Sequence, residues 1–526
     1  MDEGLAGLAA GYGFSEPAVA LGRAVKGDEV NTGFEVAVPL AMLNRHGLVA
    51  GATGTGKTKT VQGLAGRLSD AGVPCFVADM KGDVSGMAEP GEANDKVTAR
   101  IEQLRAPWDP HPSPVELLTL SGDPAKGVPV RASVSEFGAP LLAKVLDLND
   151  VQTSVLSLVF HYADSAGLLL VDLKDLREVL KFLGTDEGQQ AVAELGGVAK
   201  PTLGVLLRKL VELEEQGVAG LFGEPAFDVN DLLRTDPSGK GIVTLLELAD
   251  VADRPRVFST FMMWLLAELF EALPEVGDLD KPKLVFFFDE AHLLFDGASK
   301  AFVDQVQRTA RLIRSKGVGV FFITQLPQDL PDEVLAQLGN RIQHALRAIT
   351  PKDAAAIDKT VQTYPMTEVY DLASALTSLG VGEAVVTVLS PDGVPTPVAW
   401  TRLYPPQSRM APADQPTIQR VVAGSAIHAR YAQPVDPDSA YERLTTRLEQ
   451  AQADARAEAP IPAPTPQPPD ARDTAERERT RRAPSPQGGV DTHDMIQMGK
   501  MALRFMNTPA GREIQRSIFG VLRKRR

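Results

Sequence analysis

The chain of 526 residues carries a formal net charge of −14 and a single cysteine, which excludes an intrachain disulfide framework and a surface coated in positive charge. Its length accommodates two or three domains or one large domain with insertions, and its apolar content supports a sizeable core. The negative balance still leaves room for a local basic channel, because polyanion binding depends on where Lys and Arg sit. Cys75 lies in the apolar run Pro74-Cys75-Phe76-Val77-Ala78, the setting of a buried structural thiol, and no CxxC or His/Cys cluster points to zinc. Met1-Asp2-Glu3-Gly4 lacks the start of a signal peptide. The most apolar helical run, Phe261 to Phe270, is too short for a bilayer and contains Glu268. A cytoplasmic protein without an integral membrane segment is expected.

Residues 1–44 read as a short N-terminal β segment, with alternation in Phe34-Glu35-Val36-Ala37-Val38. Gly51-Ala52-Thr53-Gly54-Thr55-Gly56-Lys57-Thr58 then matches G-x-x-x-x-G-K-[ST], a phosphate-binding loop. Its glycines let backbone N–H groups turn toward phosphate oxygens. Lys57 would reach the β- and γ-phosphates and the Thr58 hydroxyl would hold Mg²⁺, with Lys59 and Thr60 continuing the cradle. The flanks agree. Gly47-Leu48-Val49-Ala50 is a short apolar strand, and Val61, Leu64, Ala65 and Leu68 mark one buried helix face. The helix dipole favours phosphate at that N-terminus.

The strand from Cys75 to Ala78 ends in Asp79-Met80-Lys81-Gly82-Asp83. At the carboxyl end of a parallel strand these charges would sit near the nucleotide and support the metal's water shell or the γ-phosphate. A polar turn with a solvated charge pair fits the same residues. Gly91 to Pro114 reads as loop, Val128 to Val134 as a strand, and Leu141 to Gln216 as helices. Those helices could form a lid, a partner surface or a bundle supporting the core.

Ile242 to Leu246 returns to strand, a helix spans Val257 to Leu273, and Leu284-Val285-Phe286-Phe287-Phe288 ends in Asp289-Glu290. Such an apolar strand is buried on both faces. Asp289 is placed to hold Mg²⁺ and Glu290 to activate water as general base, whereas an isolated acid pair could simply cap a helix. His292 would orient the acids or pack. A helix over Ser299 to Ser315 aligns Arg308, Arg311 and Arg314 on one face. The strand Val318 to Ile323 ends in Thr324-Gln325, where Gln325 would sense γ-phosphate or cap a turn. Asp332 to Leu338 and Lys352 to Thr363 are helical, Arg341 to Ala348 is strand-like, and Gly382–Leu389 with Val394–Leu403 form a hairpin. Beyond Leu403 Pro, Ala, Gln and charge dominate. Arg420 to Ala432 and Tyr441 to Ala457 could be helical, and Pro460–Pro469 and Arg472–Gly489 look disordered. The chain ends in an apolar periodic segment closed by four basic residues.

The phosphate loop with its preceding His46, the Asp79-Met80-Lys81-Gly82-Asp83 turn, Phe288-Asp289-Glu290-Ala291-His292 and Ile323-Thr324-Gln325-Leu326-Pro327, in this order, resemble the HerA/FtsK class of ATPases, closest to the bacterial YjgR-like branch. The resemblance runs from Leu21 to Leu403. It implies a RecA-like core, ATP and Mg²⁺ as cofactors, ring hexamers and motor work on DNA or protein chains. It also implies an arginine that reaches the neighbouring subunit's nucleotide. Arg341 in Gly339-Asn340-Arg341-Ile342 best fits that position, with Arg311, Arg314 and Arg347 as rivals. Too little chain precedes Gly51 for the β-barrel with which HerA docks a nuclease, and the anchor of FtsK has no counterpart.

The predicted fold is therefore α/β: a RecA-like P-loop NTPase core with a large helical insertion and a disordered Pro-rich C-terminal region. Residues 45–135 hold the first part of the core, 136–240 the insertion and 241–403 the second part. Residues 404–490 form a low-complexity linker and 491–526 a basic amphipathic helix suited to docking on nucleic acid, a membrane surface or a protein partner. The predicted function is an oligomeric Mg²⁺-dependent ATPase motor on DNA. The alternative is a nucleotide-gated scaffold that hydrolyses slowly and signals to a protein. A small-molecule kinase is disfavoured, since Glu290 beside Asp289 suits water activation.

Overall fold

The computed structural model describes residues 3–27, 29–251, 253–295, 300–447 and 450. Helix α1 (Glu3–Gly11) leads into strands β1 (Ala18–Lys26), β2 (Glu29–Val30) and β3 (Val36–Pro39). Next come β4 (Gly47–Ala50), α2 (Lys57–Asp70), β5 (Cys75–Asp79), α3 (Asp95–Leu104), β6 (Val115–Thr119) and β7 (Val128–Pro129). The insertion is α4 (Val134–Val145), α5 (Asp150–Ser165), α6 (Leu173–Leu183), α7 (Asp186–Ala191) and α8 (Lys200–Glu215). The chain returns through β8 (Val243–Glu247), α9 (Pro255–Ala272), β9 (Leu284–Phe288), α10 (Lys300–Ile313) and β10 (Val318–Thr324). It continues with α11 (Asp332–Leu335), β11 (Asn340–Gln343), α12 (Pro351–Val361) and α13 (Leu372–Ser378). Strands β12 (Glu383–Thr387) and β13 (Ala399–Leu403) follow, then α14 (Gln415–Gly424) and α15 (His428–Tyr431).

All the strands join one sheet in the order β2-β1-β13-β12-β11-β4-β10-β9-β5-β8-β6-β7, with β3 paired to β1. From β11 to β7 every neighbour is parallel; β12, β13 and the N-terminal strands are antiparallel. The stretch β11-β4-β10-β9-β5 is the RecA-like arrangement, in which the loop-bearing β4 and the acid-bearing β9 flank β10. Ligands in such sheets gather at the carboxyl ends of the strands.

Alternation along buried strands divides the apolar side chains between two faces. Phe76, Phe286, Phe288 and Phe322 pack with the insertion, α9 and α10. Val77, Phe287, Phe321 and Ile323 pack with α2 and the N-terminal strands. The insertion helices begin at strong caps: Ser133 with Glu136, Asn149 with Gln152, and Asp172 with Asp175 form reciprocal capping boxes. Among the described residues no helix is long and apolar enough to cross a membrane.

Several boundaries differ from expectation. Residues 1–44 contain α1 besides strands. Leu8 and Tyr12 are buried, and the Tyr12 hydroxyl lies 3.0 Å from the carbonyls of Val386 and Pro397. Gly4, Gly7 and Gly11 make this helix read as turns. The span from Gly91 to Pro114 contains α3, held at its start by Asn94 accepting from the Lys96 and Val97 N–H groups. The helix buries few residues, so its apolar signal is weak. β6 contains Glu116, buried against Arg234 at 2.8 Å, and a charge inside a strand hides its pattern.

The expected linker at 404–490 begins too early. Residues through 447 remain on the compact body, with Tyr431, Ser439 and Ala440 fully buried and Leu444 nearly so. Tyr431 donates to Asp231 at 2.7 Å, and its ring packs tilted against Phe227 at 5.3 Å between centroids. Helix is legible at 420–432, which takes in the end of α14 and all of α15, but isolated anchors separated by Pro and charge do not reveal that the span packs on the body. The disorder over 460–489 and the basic helix over 491–526 lie outside the described residues.

Candidate nucleotide-binding site

The phosphate loop leaves the end of β4 and enters α2 at Lys57. Gly51, Gly54 and Gly56 have φ of 152°, 80° and 113°. A Cβ on Gly51 would lie 2.5 Å from that of His344, so only glycine fits there. Neighbouring strands staple the loop in place. Gly51 N–H donates to Thr324 carbonyl at 3.2 Å, Ala52 N–H to Ala345 carbonyl at 2.9 Å, and Gly382 N–H to Thr55 carbonyl at 3.0 Å. The first N–H groups of α2 have no intrahelical acceptor and point into the mouth of the loop.

Lys57 extends over the loop and donates to the carbonyls of Gly51 and Ala52 at 2.6 and 3.3 Å. Burial lowers its pKa, and the charges of Glu290, Asp289 and Asp329 oppose that shift. Thr58 and Lys59 are half-buried on the first turn. Thr60 is turned inward: its hydroxyl meets Gly56 carbonyl at 3.2 Å and His344 Nε2 at 2.9 Å, so it buttresses the loop instead of facing phosphate. His344 is fully buried, and burial, then the Lys57 charge, lowers its pKa to about 4. Nothing in its sequence context marks it.

Asp289 and Glu290 end β9 beside this loop. Burial and then the Glu290 charge raise the Asp289 pKa to about 6. Asp289 Oδ1 accepts from Glu290 N–H at 2.9 Å, while Asp289 Oδ2 is buried without a hydrogen-bond partner. An orphaned carboxylate oxygen of this kind fits a divalent cation. Among the described residues no group of three or more His, Cys, Asp or Glu could hold a metal alone, so Mg²⁺ held by Thr58 and Asp289 would take its other ligands from phosphate and water. Glu290 adopts the left-handed conformation, φ 47° and ψ 48°, a strained backbone for a non-glycine residue. Its Oε1 accepts from Lys81 Nζ at 2.6 Å and Oε2 lies 3.5 Å from His292 Nδ1. Burial pushes the Glu290 pKa up, but Lys81, His292 and Lys57 more than offset it and hold it low.

The turn after β5 is organised by Asp79. Asp79 is fully buried and accepts from the N–H groups of Lys81, Gly82 and Val84 at 3.0, 2.8 and 2.8 Å, so it builds the turn. Lys81 reaches into the site. At the end of β10, Gln325 is exposed, and Asp329 accepts from Thr324 hydroxyl at 2.7 Å and Leu326 N–H at 2.8 Å. Arg341 is tied to its own chain, its guanidinium donating to the carbonyls of Leu338, Thr363 and Leu335 at 3.2, 2.9 and 3.4 Å. A cavity of ≈ 530 Å³ opens beside Gly56, Lys59 and Thr60, walled by Val97 and Arg100 of α3 and by Tyr404 and Pro405. The Arg100 guanidinium donates to Val381 and Gly382 carbonyls at 2.8 and 2.9 Å and fixes that wall.

With this geometry in view, the family model described as helicase HerA-like C-terminal matches residues 25–526. The chain belongs to this HerA-like family. It is similar to the DNA double-strand break repair helicase HerA of Sulfolobus acidocaldarius, 23% identical over 380 residues, 68% of this chain and 66% of that protein. The chain thus spans less than two thirds of that relative's length. Solved structures with a related course include VirB4 of Thermoanaerobacter pseudethanolicus, at 16% identity and TM-score 0.44, covering 74% of this chain and 96% of that one. The plasmid coupling protein TrwB in complex with ADP and Mg²⁺ aligns at 16% identity and TM-score 0.47, covering 76% and 98%. In this HerA-like chain the glycine loop, the acid pair and Gln325 meet at the ends of adjacent strands, whereas Arg341 and Thr60 serve their own backbone. Lys81, Asp329, His344 and the α3 wall join the site through tertiary contact.

Proposed function

We propose that this chain is a Mg²⁺-dependent ATPase that works as an oligomeric motor on DNA. The observation that carries this reading is the meeting of the glycine loop with Lys57, the Asp289–Glu290 pair and the Thr324–Gln325 end on three adjacent strands, β4, β9 and β10. Lys57 and the first turn of α2 bind the β- and γ-phosphates, and the cavity beside Gly56 and Thr60 takes the nucleoside. Thr58 and Asp289 would hold Mg²⁺, which when bound would supply charge neutralisation at the phosphates. Glu290 accepts the proton of the attacking water and Gln325 orients that water. Hydrolysis at a shared interface needs an arginine from a neighbour. Arg347, exposed on the segment that runs past the loop, is freer for this than Arg341.

Three features favour DNA as the track. The family is one of helicases, the Sulfolobus relative carries DNA repair in its name, and α10 presents a row of arginines to solvent. The test is the ATP hydrolysis rate with and without double-stranded DNA, single-stranded DNA and RNA. Stimulation by DNA is expected. Unchanged hydrolysis with every polymer would favour the protein-directed scaffold.

A further inference from the structure

Lys57, at the start of α2, and Lys81, in the turn after β5, both lie near Glu290. Each is close enough to Glu290 to respond to its charge, and the two ammonium groups repel each other. Lys81 donates to Glu290 Oε1 at 2.6 Å; its side chain is 49% exposed, whereas that of Glu290 is 12% exposed. The turn that carries Lys81 is fixed by the Lys81, Gly82 and Val84 N–H groups donating to Asp79, and Glu290 sits on a strained backbone whose N–H is held by Asp289. The lysine side chain is therefore the part free to swing. An ammonium has three donors and pairs with whichever oxyanion is best placed. While it holds Oε1, the ammonium occupies one acceptor site of that oxygen and anchors the carboxylate toward Lys81 instead of toward water.

We infer that Lys81 is a positioning residue that distinguishes ATP from ADP: it restrains Glu290 until a γ-phosphate draws its ammonium away, and its transfer frees the base when a hydrolysable nucleotide is bound. This inference rests on the ATPase reading of the site and adds its regulation. ADP, lacking the γ-phosphate, offers Lys81 no competing anion, so the Lys81–Glu290 pair persists and the site rests. The arrangement makes Glu290 and the γ-phosphate competitors for one cation. Neutralising Glu290 should then strengthen binding of a triphosphate and leave a diphosphate unaffected.

The experiment is calorimetric titration of the full chain with Mg²⁺ and either ADP or a β,γ-imido analogue of ATP, for wild type, Glu290→Gln, Lys81→Met, Lys81→Arg and the Lys81→Met/Glu290→Gln double variant. Glu290→Gln should tighten the imido analogue by about 10-fold and ADP by less than about 2-fold, a coupling of ordinary size. Lys81→Met should weaken the analogue alone by about 10-fold, Lys81→Arg should keep most of the discrimination, and the double variant should lose the gain given by Glu290→Gln. Persistence of that gain without Lys81, or equal weakening of both nucleotides by Lys81→Met, would overturn the inference. Wild-type protein that binds neither nucleotide would instead overturn the ATPase reading, and this inference with it.

Discussion

Arg341 and Arg347 lie on one stretch of chain and differ in what holds them. Three backbone carbonyls surround the Arg341 guanidinium, which also lies 5.9 Å from the Tyr364 ring centre. Arg341→Ala should therefore cost stability, about 1–3 kcal/mol for the carbonyls left unpaired, while each folded molecule still hydrolyses ATP. Arg347→Ala should leave unfolding unchanged and lower hydrolysis by about 10³-fold, with partial recovery when mixed with Glu290→Gln protein. Denaturation curves beside ATPase rates check both, and a catalytic loss at Arg341 with unchanged stability would restore the sequence-based assignment. His46 gives a second residue-scale prediction. Its Nδ1 accepts from Val320 N–H at 3.0 Å and its Nε2 meets the Ala310 carbonyl, so the neutral ring links β4 to β10 and α10. Burial lowers its pKa from 6.5 to about 4. Between these values the unfolded chain binds the proton that the folded chain refuses, so stability is full above pH 6.5 and falls as pH drops toward 4. The slope is up to about 1.4 kcal/mol per pH unit, and denaturant midpoints of His46→Gln should lack it.

At the scale of elements, legibility followed burial on both sides of a segment. β9, five consecutive apolar residues ending in acids, announced its place in the fold, as did β4 with the glycine loop and α2 with its apolar face. β6 and α3 were hidden because their identity comes from partners far along the chain: Arg234 neutralises Glu116, and Arg100 finds the carbonyls of Val381 and Gly382. Lys81 was visible as a charge at a strand end, but its partner at Glu290 was not, since no local pattern encodes a contact between two strands. α10 carries a prediction of its own. Arg308 and Arg311 of α10, and Arg314 just past its end, are exposed at successive turns, and Lys144 of α4 lies near enough to feel the Arg308 charge. Phosphates fit such a row. Reversing all three arginines to Glu should reduce the salt slope of DNA binding by about 0.9 for each phosphate that is no longer neutralised. An unchanged slope in fluorescence anisotropy titrations would remove α10 from the track.

Across the whole molecule, the span from 404 to 447 belongs to the folded body. It is anchored by buried Tyr431 and by Asp175 of α6, which accepts from Tyr441 N–H at 2.9 Å and from Ser439 hydroxyl. A chain ending at Leu403 should lose the cooperative unfolding of the full chain, and Tyr431→Ala alone should cost about 3–5 kcal/mol. Circular dichroism melts of both beside the full chain decide this. A chain ending at Leu403 that melts normally would return this span to the status of a linker.

In the proposed mechanism binding and hydrolysis are separable: Lys57 would grip phosphate, Thr58 and Asp289 would hold the metal, and Glu290 would act on water. The most direct test is ATP binding measured beside steady-state hydrolysis for Glu290→Gln and Lys57→Ala. Glu290→Gln should retain ATP binding and lose hydrolysis by about 10²-fold or more, and Lys57→Ala should lose binding itself. Near-normal turnover by Glu290→Gln, or undiminished ATP binding by Lys57→Ala, would contradict these roles.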